Sequence, residues 1–431
     1  MTIAPQTRAF AQDLLDFIDA SPSPWHAAAN IAQRLAAQGF RELREEDPWQ
    51  VKPGDKCYTL RGGSSLIAFV AGTRPPGAAG FQIVGAHTDS PGLRLRPHAP
   101  HAAEPMLRLG VEVYGGPILA SFTDRDLSLA GRVNLRGAGP RLLRFPKPLL
   151  RLPNLAIHMN RSVNEDGLKL HKQNELPLLL CNLRESLPPD GQFRALLAEE
   201  AGVAAGDIVN WELLAYDTQP GAFWGPAAEF IADSQLDNLA SCHAALSALL
   251  AIENPAATCV CALFDHEEVG SESAKGAGGS FLPDVLARLT GADAEARARA
   301  MAQSFFISAD MAHAYHPNFP AAYDPQHILR VNAGPTIKTN ASQRYATDAE
   351  SEAYFIGLCQ AAGVPWQQYS HRADLGCGST IGPILAARLG VRTVDVGNPM
   401  WAMHSVRESA GVLDHGFMAR VLGRFFGAEH P

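Results

Sequence analysis

Apolar positions change period along the chain. Leu14, Leu15, Phe17 and Ile18, then Ala28, Ile31, Ala32 and Leu35, recur at helical spacing on either side of Ser21-Pro22-Ser23-Pro24. Two helices with a break at the prolines are predicted, the second closed by Gly39. Ser65–Val70 and residues 81–84 are short apolar runs bounded by Gly and Pro, as strands are. From about Gly92 to Phe223 the period falls to two: Leu107, Leu109, Val111 and Val113 alternate with polar residues or Gly, as do Leu127 with Leu129 and Val133 with Leu135. Helical spacing is largely missing there until 193–200. After Phe223 the pattern predicts helices over 239–252, 284–289 and 350–362, alternating with strands over Thr258–Phe264, 305–308 and 393–396.

Strands alternating with helices imply a largely parallel central sheet flanked by helices, an α/β fold. The period-two stretch reads as a β-rich domain inserted into it. The expected division is 1–91 for the first part of the α/β domain, 92–225 for the insertion and 226–431 for the second part. Charge follows the same boundary: residues 92–156 carry ten Arg or Lys against four Asp or Glu, inside a chain of net charge −8. A mildly acidic chain is a poor nucleic-acid binder, because that affinity rests on neutralising phosphates. No apolar run approaches the roughly 20 residues of a membrane helix, and Asp13, Asp16 and Asp19 interrupt any secretory leader. Seven scattered cysteines without a CxxC pair fit reduced thiols and a cytoplasmic protein.

Residues able to bind metal follow several predicted strands. His87 and Asp89 follow 81–84, Glu267 and Glu268 follow Thr258–Phe264, Asp310 follows 305–308, and His404 lies eight residues beyond Val396. Asp237 opens the helix 239–252. Ligands of open α/β sheets bind beyond the carboxyl ends of the strands, so five distant segments are expected at one rim. Taken singly, a His or Asp at a strand end is more often a cap or a hydrogen-bonded turn residue than a ligand. Adjacent Glu267-Glu268 is more telling, because two carboxylates repel unless a cation or a proton separates their roles. Two divalent ions are expected, one on His87 and Asp310, the other on Glu268 and His404, with Asp237 bridging. Nitrogen and carboxylate donors suit zinc, manganese or cobalt. Glu267 is left over as general base for a metal-bridged water, and the implied chemistry is hydrolysis.

Ordered motifs extend this over nearly the whole chain. They are Asp16-Phe17-Ile18-Asp19-Ala20-Ser21-Pro22-Ser23-Pro24, Gly85-Ala86-His87-Thr88-Asp89-Ser90-Pro91, Leu236-Asp237-Asn238-Leu239 and Asp265-His266-Glu267-Glu268-Val269-Gly270-Ser271, then Asp310-Met311-Ala312-His313, Cys377-Gly378-Ser379-Thr380-Ile381-Gly382-Pro383 and Met403-His404-Ser405-Val406-Arg407-Glu408. In these the chain resembles the M18 metallopeptidases, the aspartyl aminopeptidases among co-catalytic zinc peptidases. The resemblance implies the metal ligands named above, Glu267 as base and Asp89 as support for His87. It implies removal of N-terminal Asp or Glu from peptides with a free amino terminus. It also implies dimers joined into a tetrahedral dodecamer, with the inserted domain as dimerisation element and lid. His158 matches a residue that enters the neighbouring subunit's site, and Lys338 matches a position that meets the acidic side chain. A neutral aminopeptidase, a deacylase or a carboxypeptidase on the same two-metal rim, or a non-catalytic metal-stabilised assembly, are the competing readings.

Overall fold

The computed structural model describes residues 3–184 and 186–428. The chain divides into two compact units. One runs up to Asp89 and takes in Gly221–Met403 and the segment from Glu408 onward; the other holds Ser90–Pro220 and His404–Arg407.

The first unit is built on a nine-stranded sheet. Its strands lie in the order Arg41–Glu42, Lys56–Arg61, Ser65–Val70, Thr258–Phe264, Phe81–His87, Phe305–Ala309, Arg392–Gly397, Thr336–Thr339 and Gln367–Ser370. The four strands from Thr258–Phe264 to Arg392–Gly397 run parallel, while Ser65–Val70 and Thr336–Thr339 join them antiparallel. Three of those four, Thr258–Phe264, Phe81–His87 and Phe305–Ala309, are buried at every position, which is why they read as continuous apolar runs. Alternation survives in where their side chains go. Val84, Ala86, Cys259, Cys261 and Leu263 join a core with Leu14, Ile31, Leu246 and Val421 from helices on one face. Phe81, Ile83, Val260, Ala262 and Phe264 join Phe281, Leu286 and Leu385 on the other. Burial on both faces fixes the register, since a one-residue slip would exchange the two sets.

The first two helices, Pro5–Asp19 and Pro24–Ala37, break at the prolines; Ser23 caps the second by accepting the His26 N–H. Helix Leu236–Leu250 packs on the Phe81–His87 strand, and its first turn departs from helical geometry at Asp237 and Asn238. A small five-stranded sheet, from Ala222–Trp224 through Phe230–Asp233, Glu408–Gly411 and Pro399–Trp401 to Ala312–His313, completes the unit.

The second unit is a six-stranded antiparallel sheet in the order Gly139–Arg144, Leu127–Leu135, Ile208–Asp217, Gly92–Ala103, Met106–Tyr114 and Leu178–Asn182. Helix Pro189–Ala201 supplies Phe193 and Leu197 to its core, with Phe193 edge-on to Trp211 at 5.3 Å. The segment 404–407, expected with the α/β part, instead clusters here. The Ile118 N–H donates to the His404 carbonyl, the Val406 N–H donates to Ser121 Oγ, and Val406 is buried in this core.

Among the described residues no helix is long and apolar enough to cross a membrane. All seven cysteines are free thiols.

Candidate metal centre

Parallel register brings the site together. Phe264 pairs with His87 and Ser308 with Gly85, so the chain leaves all three strands at one level of the sheet. His87 ends its strand, Glu267 and Glu268 form a single helical turn just beyond theirs, and Asp310 follows Ala309 directly. Two glycines permit this closeness. A Cβ on Gly85 would lie 2.6 Å from the Phe306 ring, and one on Gly397 would lie 1.8 Å from the Asp310 carbonyl oxygen. Gly397 therefore lets the Asp310 backbone approach the neighbouring strand, where the Asp310 N–H donates to the Val396 carbonyl at 2.9 Å.

His87 is buried and ringed by carboxylates. Its Nε2 stands 3.5 Å from Asp237 Oδ1, 3.5 Å from Asp310 Oδ1 and 4.0 Å from Glu267 Oε2. One donor atom each from His87, Asp237 and Asp310 lie within 4.8 Å of one another, as do atoms from His87, Glu267 and Glu268. The 3.5 Å separations are long for hydrogen bonds. They match the edge of a ligand tetrahedron, about 3.4 Å when donors sit 2.0–2.1 Å from zinc. The donor set thus fits a divalent cation in chemistry and in spacing.

Electrostatics point the same way. Burial alone pulls the His87 ring down, but Asp237, Asp310, Asp89 and Glu267 together hold it well above the usual imidazole range. Glu267 is raised well above the usual carboxylate range, first by burial and then by Asp310, Glu268 and Asp89. So many acidic groups around one imidazole would be offset by a dication, which would invert the local charge balance.

The remaining partners fix orientation. His87 Nδ1 is 2.9 Å from the Asp89 backbone carbonyl and 3.5 Å from Asp89 Oδ1. The Asp89 main chain is thus at hydrogen-bond distance from the ring, with its carboxylate just beyond. The Asp89 carboxylate accepts the N–H groups of Glu267 at 3.1 Å and Glu268 at 3.2 Å. Asp237 is seated by its N–H donating to Glu408 Oε2 at 2.9 Å, and the adjacent Asn238 amide donates to the Ala309 carbonyl. Backbone strain surrounds these groups: Gln235, His266 and Ser271 all have φ between 57° and 67°, a conformation costly for residues with a Cβ.

Lys338 is 2% exposed. Its Nζ donates to the carbonyls of Asp310 at 3.0 Å and Met311 at 3.1 Å and lies 3.5 Å from Asp310 Oδ2, with the Tyr345 ring beneath it. His404 and His158 both belong to the second unit. His404 Nδ1 is 3.1 Å from the Gly116 carbonyl, and His158 is exposed in the turn 157–159. Three further contributors had no role assigned from sequence. Gly397 lies outside the ordered motifs; Glu408, the seat of Asp237, and the fully buried Asp265, whose carboxylate faces Lys275 at 3.5 Å, lie inside them, but nothing in the sequence separates them from their neighbours.

Comparison with known proteins is consistent along the whole length. Residues 17–426 match the family described as aminopeptidase I zinc metalloprotease (M18). The chain is 49% identical over 425 residues to a probable M18 family aminopeptidase 2 of Pseudomonas aeruginosa, covering 97% of this chain and 98% of that one. Among solved structures it is similar to a chain of the Ape4 and Nbr1 complex, with a TM-score of 0.95 and 37% identity over 99% of this chain and 88% of that one. It is also similar to the mApe1 dodecamer of S. cerevisiae, with a TM-score of 0.85 and 28% identity over 97% of this chain and 96% of the other.

Proposed function

Because the chain belongs to the M18 family of zinc metalloproteases and is an aminopeptidase of that family, we propose that it removes N-terminal Asp or Glu from peptides, with Glu267 as general base. The observation that carries this reading is His87 Nε2 equidistant from Asp237 and Asp310, with Glu267 at 4.0 Å.

Two divalent ions, most readily zinc, would be held by His87 and Asp310, by Glu268 and His404, and by Asp237 between them; when bound they supply Lewis acidity toward a peptide carbonyl and acidify water. The protein's own residues do the rest. Glu267, kept out of the ligand set, takes the proton of the attacking water and returns it to the leaving amine. The Asp89 carboxylate holds the amides of Glu267 and Glu268, so base and ligand share one clamp. Lys338 lends a fixed positive charge beside the Asp310 turn. A charge-assisted contact of roughly 1.5–3 kcal/mol corresponds to about tenfold to over a hundredfold preference for an acidic side chain.

Self-association is part of the proposal. The similar mApe1 of S. cerevisiae is a dodecamer, and exposed Leu155, Ile157 and Met159 flank His158 in the second unit. A second copy covering that apolar turn would bring His158 to the scissile carbonyl in the neighbouring site, with the second unit as dimerisation element and lid.

The test is hydrolysis of peptides beginning with free Asp, Glu, Ala or Leu, beside their acetylated forms. Cleavage of the free acidic termini, at least tenfold faster than the neutral ones, is expected. Equal rates on all four, or faster cleavage of blocked peptides, would reject the acidic aminopeptidase reading.

A further inference from the structure

The basic stretch of the second unit is only partly used by its own ion pairs. Arg125 pairs with Asp217, Arg132 with Glu212 and Arg151 with Asp126. Arg96 and Arg108 pair with no carboxylate among the described residues. Both line a cavity of about 550 Å³ together with His98, His101, Gln173 and Gly110, and no acidic residue is among the described residues that line it.

The cavity follows from a bulge. Strand Gly92–Ala103 pairs Leu95 with Val111 and then Pro100 with Leu109, so residues 96–99 stand opposite Gly110 alone. Such bulges re-aim side chains at the cost of ladder hydrogen bonds. Here the bulge carries Arg96 and His98, with its backbone held by the Trp211 indole N–H donating to the Arg96 carbonyl at 3.2 Å. Arg108 lies directly across from His101. Gly110 lies on the floor: a Cβ there would sit in van der Waals contact with the Ala99 carbonyl at 3.6 Å and with Arg96 Cδ and His101 Cε1 at 3.8 Å.

The Nε of Arg96 and the Nε of Arg108 are both buried without an acceptor, and the Arg96 guanidinium donates to Gln173 Oε1 at 3.1 Å through Nη2. Paired planar guanidiniums recognise phosphate oxygens in bidentate fashion, and the volume suits a ligand larger than a single ion. We propose that this cavity binds a phosphate-bearing small molecule, gripped by Arg96 and Arg108 with Gln173 fixing the first of them. The site lies wholly within the second unit and does not depend on the peptidase reading.

The experiment is calorimetric titration of the full-length protein with pyrophosphate and with adenosine triphosphate, against sulfate at matched ionic strength. It is repeated on Arg96→Gln/Arg108→Gln and on Gly110→Val, which puts a branched side chain between Arg96 and His101 and leaves the charge of the cavity intact. Saturable pyrophosphate binding with Kd of about 1 mM or tighter, weakened at least tenfold by both variants, is expected. Tighter binding of the nucleotide would identify a nucleotide ligand, and equal binding a free phosphate. Binding that sulfate matches, or that survives both variants, would overturn the site. So would a double-arginine variant of lower oligomeric mass in a protein that takes up no pyrophosphate, because the cavity would then hold a carboxylate of a second copy.

Discussion

The carboxylate of Asp89 accepts the backbone N–H of Glu267 at 3.1 Å and, through its other oxygen, that of Glu268 at 3.2 Å. One buried side chain thus sets the turn that carries both the proposed base and a proposed ligand, while its main-chain carbonyl orients His87. Asp89→Asn keeps a single acceptor and sets an amide against the second N–H. We expect metal affinity to fall about 10- to 100-fold, as for other groups that orient ligands, together with turnover. Metal retention under a chelator and kcat at saturating metal measure the two effects, and an unchanged value of both would mean that no such clamp operates.

Glu267→Gln preserves shape and removes the proton acceptor. Turnover should fall by about 10²–10⁴ while bound metal stays at the parent level. Metal content and kcat on the same preparation decide between a base and a ligand: parallel loss of both would make Glu267 a ligand.

Gly397→Ala places a methyl group where the Asp310 carbonyl now sits, 1.8 Å away. The Asp310 turn must move, with a stability loss of roughly 1–3 kcal/mol or more and weaker metal retention. Thermal unfolding with and without added zinc tests this. A variant as stable as the parent that also holds metal equally well would show that the contact is relaxed in solution.

Much of this was legible in the sequence, for an identifiable reason. Strands buried on both faces, such as Thr258–Phe264 and Phe305–Ala309, leave unbroken apolar runs, and the proposed metal ligands stand just beyond them. Other features lack such a pattern. Helix Ala294–Gln303 is mostly Ala and charged residues with a single buried position, Ala300, so it carries no apolar stripe. The small sheet has strands of two to four residues, too short for a period. The grouping of residues 404–407 with the second unit rests on hydrogen bonds to Ile118 and Ser121, nearly 300 positions away. Asp89 is expected from sequence as support for His87; its carbonyl lies 2.9 Å and its carboxylate 3.5 Å from His87 Nδ1, and its hold on the Glu267 turn has no sequence pattern.

Lys338 has two roles to separate. Its contacts to the Asp310 and Met311 carbonyls anchor the turn of the proposed ligand Asp310, and its charge is proposed to favour acidic substrates. Lys338→Ala should slow both classes of peptide, with kcat/KM on an Asp-terminated peptide falling at least tenfold further than on a Leu-terminated one. Equal losses would leave only the anchor.

Away from the site, His243 Nδ1 is 2.9 Å from His415 Nε2 in the helical core, and His415 stacks on Phe10. Burial lowers both rings, with the neighbouring His243 adding to the effect on His415. The unfolded chain therefore binds protons below about pH 6.5 that the native state refuses. Stability should be full above that pH and decline as pH falls below it. His415→Phe keeps a ring against Phe10 and should flatten the decline. Urea midpoints at pH 7.5 and 5 measure it, and a variant with the parent's acid slope would contradict the assignment.

The most direct measurement is the return of activity as metal is added back. Protein stripped of metal is titrated with zinc, while bound metal per chain and cleavage of an unblocked Asp-terminated peptide are followed together. No cleavage by the stripped protein and full cleavage at two ions per chain are expected, with manganese and cobalt as comparators. Cleavage by metal-free protein, or full activity with a single ion bound, would refute the two-metal mechanism.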